Sequence, residues 1–423
     1  MVLGAGGFIG RQIVAELTAA GHRVTGVVRA LAGLDRAFPD ARFVELDLTR
    51  ATGPADWTPH LAGVDIIVNA AGLLRGAGME AVHVTAPRAL YAAAATAGVR
   101  RMVLISAISA RTGVDTDYAR SKLAGEQVLR DAGIGWTILR PSLVYGDGSY
   151  GGTSLLRGMA GLPLRVPLPG DGSFAFTPIH VRDLARAVRL TCEEARFAGE
   201  VLEPVGPETL SLRALLARYR AWLGFGAARF VPVPLPVMRL LARIGDVAGS
   251  GPIATNSLAQ LVAGNAGNSA AFADAMGFAP RSVGEALAER PAQVQDRWHA
   301  RLFFLAPAIR GVLVLLWLAS AALGLFTGAA ATAGFVDTLG LAPGWGEGLR
   351  IGTSILDIVI AGLVLLDRRG RLATGAQLAV VIGYTLALGA ALPALWLDPL
   401  GPLLKNLPIL ALICVHGAIA ENR

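Results

Sequence analysis

The sequence predicts an α/β fold, a doubly wound parallel sheet with a small cap, followed by an all-α domain of four membrane-crossing helices. Three observations predict it. Over residues 1–300, short apolar runs alternate with amphipathic stretches, the rhythm of strand and crossover helix. A glycine cluster follows the first apolar run directly. Beyond Arg301, four apolar segments follow one another without a polar face.

The composition is a mixture of these two parts. Of 423 residues, 53% are hydrophobic and 16% charged, well under the roughly 25% charged of ordinary globular domains. The mean hydropathy is +0.53. These values exclude disordered, collagen-like and disulfide-scaffold classes. Cys192 and Cys414 are too few for a disulfide framework, so nothing calls for an oxidising compartment. The net charge of +7 comes from scattered arginines with no aromatic interleaving, so no nucleic-acid partner is expected. The six histidines form no ligand pattern, and no metal site is expected.

The elements follow in order. Met1-Val2-Leu3 is a strand fragment, then come Gly4-Ala5-Gly6-Gly7-Phe8-Ile9-Gly10 and a helical stretch to about Ala20. Residues 22–28 read as the next strand. Strand, glycine loop, helix, strand is the context in which glycines cradle a dinucleotide. The first makes the turn, the middle one admits the pyrophosphate and the last permits close helix–strand packing. The helix N-terminus then faces the phosphates. The sheet is therefore Rossmann-type. No signal-peptide pattern is read ahead of the glycines.

Arg29 ends the second strand, where an NAD-preferring site usually carries Asp or Glu. Arginine there pairs with a 2′-phosphate, so NADP is favoured, with NAD as the alternative. Asp47-Leu48 ends a third strand, its carboxylate placed for the adenine amino group. Residues 65–68 form a fourth strand, and Asn69-Ala70-Ala71-Gly72 brings small residues to the cofactor. Arg101–Ile105 is a fifth strand and 136–139 a sixth.

Ser106-Ala107-Ile108-Ser109 follows the fifth strand, and then Tyr118-Ala119-Arg120-Ser121-Lys122. Tyr118 and Lys122, four apart on a helix, share a face. A nearby ammonium favours phenolate and lowers the phenol pKa from about 10, which suits proton exchange near neutrality. Ser106 or Ser109 would polarise a substrate carbonyl. Lys122 and Lys405 are the two lysines among 38 basic residues. A chain that otherwise uses arginine keeps lysine where this chemistry requires it.

With these motifs in place the chain resembles the short-chain dehydrogenase/reductase superfamily. It is most similar to the extended or atypical, epimerase/dehydratase-like branch, which includes the NADP-binding accessory subunits of respiratory complex I and bacterial relatives. The resemblance covers roughly residues 1–290. It also rests on Arg140-Pro141-Ser142-Leu143-Val144-Tyr145-Gly146, where the family places the nicotinamide. Ile179-His180-Val181-Arg182-Asp183-Leu184-Ala185 matches a later substrate-domain motif. It implies hydride transfer with Tyr118 as acid/base, Lys122 as its partner, and Pro141 at the cofactor. The residue in register with the family's serine is Ile108, which leaves that role open between Ser106 and Ser109.

The domains expected are 1–150 for the nucleotide, with core extending into 175–205, and 151–295 for an interleaved substrate cap. Within the cap, 161–172 reads as a loop and Val283–Glu289 as a final amphipathic helix. Residues 301–423 form the membrane domain, with apolar segments at 302–326, 351–366, 372–397 and 403–420, against about 20 residues per span. It resembles the DoxX-like family, on Trp396-Leu397-Asp398-Pro399-Leu400-Gly401-Pro402-Leu403-Leu404-Lys405-Asn406. Some relatives there are linked with quinone-dependent redox systems.

Arg297, Arg301 and Arg310 flank the first segment, and Asp367-Arg368-Arg369-Gly370-Arg371 joins the second and third. The positive-inside rule then places residues 1–300 and the C-terminus in the cytoplasm, on a multi-pass inner membrane protein. Asp357 and His416 are intramembrane ionisable groups.

The function expected is a membrane-anchored NADP-dependent oxidoreductase. It would act on a carbonyl or hydroxyl of a lipid-like or quinone-like small molecule, with membrane lipid and a membrane redox partner as associates. The alternative is a non-catalytic NADPH-binding sensor or assembly subunit of a membrane redox complex. A third possibility, transport gated by NADPH, rests on Asp357 and His416 alone.

Overall fold

A computed structural model describes the chain except for residues 149, 249–253, 339, 341, 343, 368, 400 and 421–423. Arg368 and Leu400, both in segments singled out above, therefore lie outside the described residues. The chain divides into two compact units, Met1–Ala300 and Arg301–Arg423.

The first unit is built on a seven-stranded parallel sheet. Its strands are β1 (Val2–Leu3), β2 (Val24–Val28), β3 (Ala41–Glu45), β4 (Ile66–Asn69), β5 (Arg101–Ile105), β6 (Gly135–Leu139) and Val201–Leu202. Across the sheet they run Val201–Leu202, β6, β5, β4, β1, β2, β3. The order reverses between β1 and β4, and ligands bind outside the carboxyl ends of strands at such a switch point. Short as it is, β1 is fully buried and pairs with both β2 and β4.

Helices cover both faces, so the strands carry continuous apolar runs rather than alternation. On one face Phe8–Ala19 and Val181–Glu193 bury Ile13, Val14, Leu184 and Val188. On the other, Ala86–Ala97 buries Leu90, Tyr91 and Ala94 against Ile67, Met102 and Trp57. Arg189, joined to Glu16 at 2.8 Å, ties the first pair of helices together.

The cap contains more strand than its sequence suggests. Within 161–172, expected as a loop, Arg165–Pro169 forms a strand paired in parallel with Arg229–Val233. Pro163, Pro167 and Pro169 read as breakers. In a two-stranded ladder, however, each strand is an edge, where proline is tolerated. Val166 and Leu168 point inward to a separate core with Leu212, Leu216 and Tyr219.

Among the described residues three helices are long and apolar enough to cross a membrane: Val294–Phe326 (which begins in the first unit), Trp345–Leu366 and Arg371–Ala391. The fourth segment forms helix Asn406–Ile419, only 14 residues. At 1.5 Å per residue that is about 21 Å, short of a hydrocarbon core of about 30 Å. Residues 329–338, expected to be connecting loop, form the helix Ala329–Thr338.

The unit is apolar on both sides. Leu313, Trp317, Ile360, Val364 and Ile413 pack inward. Leu315, Leu323 and Leu365 stand more than half exposed, as lipid-facing residues do. Polar groups are paired inside: Trp317 Nε1 donates to Gln377 Oε1 at 3.0 Å, and Asn406 Nδ2 donates to Thr385 Oγ1 at 2.8 Å. Asp357, beside Ser320, and His416 are both buried. Arg310 donates to the carbonyls of Val364 and Leu365, closing the end of the second long helix.

Candidate active site

The glycine loop is built for a close ligand. Gly4 sits at φ +70°, and its N-terminal neighbours on β1 are buried. A Cβ on Gly10 would stand 2.1 Å from the Gly4 carbonyl oxygen, so no larger residue lets the helix begin this close to the strand. Gly7 caps helix Phe8–Ala19 in extended backbone with no side-chain hydrogen bond. The first helical N–H groups are thus left for an anion. Ile9 packs into the core, while the Phe8 ring stacks on Tyr150 at 6.5 Å and abuts Gly146.

Arg29 is exposed immediately after β2, and its charge helps hold the Asp47 carboxyl below the usual range. The larger cause is Thr49, whose N–H and hydroxyl both donate to Asp47 Oδ1, at 2.9 and 2.8 Å. Asp47 lies two residues beyond the end of β3, not within it as the sequence suggests. Its turn with Thr49 fixes one oxygen and leaves Oδ2 available. Leu48 packs sideways onto the second core cluster.

At the exit of β4, Asn69 Oδ1 accepts the Ala71 N–H at 3.1 Å, and Ala71 touches the Gly4 backbone. Ala70 lies against the core. A Cβ at Gly72 would stand 3.2 Å from Lys122 Nζ, so the small residues after β4 and the Tyr118/Lys122 helix meet directly. The buried proline Pro141 bridges the next exits, its carbonyl accepting the Ile108 N–H at 3.0 Å. Glycine loop, β4 exit, β5 exit and β6 exit thus converge on one edge of the sheet, the edge that carries a dinucleotide.

Helix Asp117–Arg130 starts on Thr116, whose hydroxyl accepts the Ala119 N–H. It presents Tyr118, Lys122 and Glu126 on one face. Lys122 is buried, and its Nζ donates to the Ile105 carbonyl at 3.0 Å and lies 5.9 Å from the Tyr118 ring centroid. Burial lowers the Lys122 ammonium to about 8. Burial also raises the half-buried Tyr118 phenol to about 12. The sequence-based expectation of a lowered phenol therefore does not hold for the protein alone. Desolvation of the phenolate outweighs the ammonium beside it.

The serine alternatives separate. Ser106 Oγ donates to Glu126 Oε1 at 2.6 Å. Glu126 is fully buried and also receives Arg140 Nε at 2.8 Å and its terminal nitrogen at 2.6 Å. The Ser106 hydroxyl is thus engaged by a buried carboxylate rather than turned toward the cofactor edge. Ser109, also buried, lies three residues further on, beyond that network. Ile108 is core.

Two residues that the motif reading passed over, Glu126 and His83, complete the site together with Arg140 of the Pro141 motif. Glu126 was legible, four residues past Lys122 on the same face. Arg140 precedes Pro141 and is its counter-ion. His83 had no sequence signal, because it lies on a single π-helical turn, Ala81–Thr85. Its Nε2 accepts the Leu73 N–H at 3.0 Å, its Nδ1 faces Ser121 Oγ at 2.9 Å, and its ring stands edge-on to Tyr118 at 5.9 Å. Burial first, and Lys122 second, push its pKa to about 3. His83 is therefore a neutral strut, and Ser121 passes the bond on to the Tyr118 carbonyl.

Comparison with known proteins agrees with this geometry. Residues 4–159 match the NAD(P)H-binding family, and residues 314–414 the DoxX-like family. The chain therefore joins an NAD(P)-binding Rossmann domain to a DoxX-like domain. A ceramide reductase of Caulobacter vibrioides is 32% identical over 196 residues, 45% of this chain and 60% of that protein. Mouse NADH dehydrogenase [ubiquinone] 1 alpha subcomplex subunit 9 is 26% identical over 260 residues, 59% of this chain and 67% of the subunit. The aligned stretches thus span about two thirds or less of these relatives. The NAD-bound dTDP-glucose 4,6-dehydratase DesIV of Streptomyces venezuelae superposes with a TM-score of 0.53 at 22% identity, covering 70% of this chain and 95% of its own. That likeness shows the fold. Together the fold and the family match define a Rossmann domain that takes a nicotinamide cofactor.

Proposed function

We propose that the protein is a membrane-anchored, NADP-dependent oxidoreductase acting on a carbonyl or hydroxyl of a long-chain, lipid-like molecule. The observation that carries the reading is Tyr118 and Lys122 on one helical face, with Lys122 buried against Gly72 at the cofactor edge. The glycine cradle fits a dinucleotide: its uncapped helix start would hold the pyrophosphate, and Gly10 leaves no room for a side chain. Arg29 would take the 2′-phosphate and Asp47 Oδ2 the adenine amino group. When bound, the reduced nicotinamide supplies a hydride.

The chain's own residues handle the proton. Tyr118 Oη, held protonated, donates to the substrate oxygen as negative charge develops there. Lys122, which titrates near neutrality, restores that proton and stabilises the transient phenolate. Ser109 is the donor available to hold the substrate oxygen. His83 and Ser121 fix the Tyr118 backbone. A lipid is favoured over a quinone by the likeness to a ceramide reductase, and by helices that put the enzyme at a bilayer.

The test is NADPH oxidation by the full chain in nanodiscs supplied with fractionated lipid extracts. Tyr118→Phe should lose about 10²- to 10⁴-fold in kcat while NADPH affinity stays within a factor of two or so. If the variant turns over as fast as the parent, the assignment is wrong. A second reading, a cofactor-bound subunit without turnover, draws on the raised Tyr118 pKa, the sequestered Ser106 and the likeness to a respiratory-complex subunit. Stoichiometric co-purification of a partner, with bound NADPH never oxidised, would favour it.

A further inference from the structure

Between the cap strand Arg229–Val233 and the C-terminal part of the first unit lies a helical hairpin, Leu235–Ala248 and Thr255–Ala263. Its first helix is amphipathic the wrong way round for a soluble surface. Val237, Leu240, Leu241 and Ile244, spaced i, i+3, i+4 and i+7, form one stripe, and all four are exposed, Leu240 by 59% and Ile244 by 58%. Ala242 is the buried side of the same helix. An aligned apolar stripe of this kind marks an interaction surface, where scattered exposed leucines do not.

The second helix is tied to the loop that follows Ser109. Arg111, two residues past Ser109, donates to the Ala263 and Gly264 carbonyls at 3.4 and 3.5 Å. Asp246 accepts the Thr255 N–H at 3.1 Å, which ties the two helices together. The stripe is therefore an exposed face on a helix pair anchored beside the β5 exit.

We infer that the stripe docks on the surface of a lipid bilayer, so that the site opens toward the lipid phase. The occupant follows from the rest of the chain. Three helices long and apolar enough to cross a membrane are part of the same polypeptide, so a bilayer is present at the high effective concentration a tether gives. Arg243, three residues after Leu240, is exposed at the edge of the stripe, where an interfacial helix meets anionic headgroups. Insertion stands apart from the proposed chemistry. Its consequence for turnover rests on the reading of a lipid-like substrate.

The experiment uses the full chain in phosphatidylglycerol-containing nanodiscs, with Cys192 and Cys414 replaced and one cysteine introduced as Ile244→Cys. A polarity-sensitive fluorophore on that cysteine should shift to the blue and be quenched by brominated acyl chains. The quenching should be several-fold stronger than at Arg23→Cys, on the exposed turn before β2. Equal quenching at the two positions would overturn the proposal. So would a blue shift without lipid quenching, which would mean a second copy. Leu240→Ser with Ile244→Ser should then raise KM for a bilayer-resident substrate several-fold, with kcat and NADPH affinity unchanged. Quenching at Ile244→Cys without turnover of any lipid leaves docking intact and removes the lipid-reductase reading. Turnover without quenching does the reverse.

Discussion

Lys122 is a residue whose identity the rest of the composition makes informative, since arginine fills nearly every other basic position. Its burial has a measurable signature. With two lysines in the chain, side-chain ¹⁵N-lysine labelling gives two signals. One, lost in Lys122→Met, should titrate near the value of about 8 set by desolvation. The sign for stability follows. The unfolded lysine binds its proton up to 10.5 and the folded one only to about 8. Stability from this group is therefore full above pH 10.5 and lost as pH falls toward 8. Tyr118 acts in reverse, its contribution lost as pH rises from 10 to about 12. A lysine signal titrating above 10 would mean that the site is wet. Arg29 offers a second test: Arg29→Asp should lower kcat/KM for NADPH and raise it for NADH, inverting the preference. No change in the ratio would leave Arg29 a solvated surface residue.

At the scale of elements, helix Asp117–Arg130 acts as a ruler. Tyr118, Lys122 and Glu126 are each four apart, so one face carries the acid, its ammonium and the anchor that fixes the helix to β6. Glu126 is fully buried and bonded to Arg140 and Ser106. Glu126→Gln leaves Arg140 without its charge partner and should cost about 3–5 kcal/mol, read as a fall in thermal midpoint. If the midpoint holds and only kcat falls, Glu126 belongs to the chemistry instead. This element was largely legible: the spacing of Tyr118 and Lys122 is a pattern of one helix, set by local geometry. The π-turn that carries His83 was not, because its extra residue per turn is a response to the packing of Asp117–Arg130 against Ala81–Thr85. The strand Arg165–Pro169 was missed for a similar reason. Its prolines act as breakers in isolation and as tolerated edge residues once Arg229–Val233 lies alongside.

For the whole molecule, the two units follow different solvents. The first buries its apolar residues between sheet and helix. The second turns Leu315, Leu323 and Leu365 outward. Positive charge should decide how the second is threaded. Arg371→Cys should react with an impermeant thiol reagent only after cells are opened, and Ala342→Cys in intact cells. The reverse pattern would place residues 1–300 outside the cytoplasm.

The sequence by itself determined the class of each unit, because hydrophobic period and apolar length are local quantities. It also marked the glycine loop, Arg29, Asp47, and Tyr118 with Lys122, because each follows a strand or shares a helical face with its neighbour. Tertiary structure decided the rest. It committed the Ser106 hydroxyl to Glu126. It set the Tyr118 phenol upward rather than downward, because burial is a property of everything packed around the ring. It placed the Leu235–Ala248 stripe on the outside, where the same amphipathic sequence would ordinarily face a core.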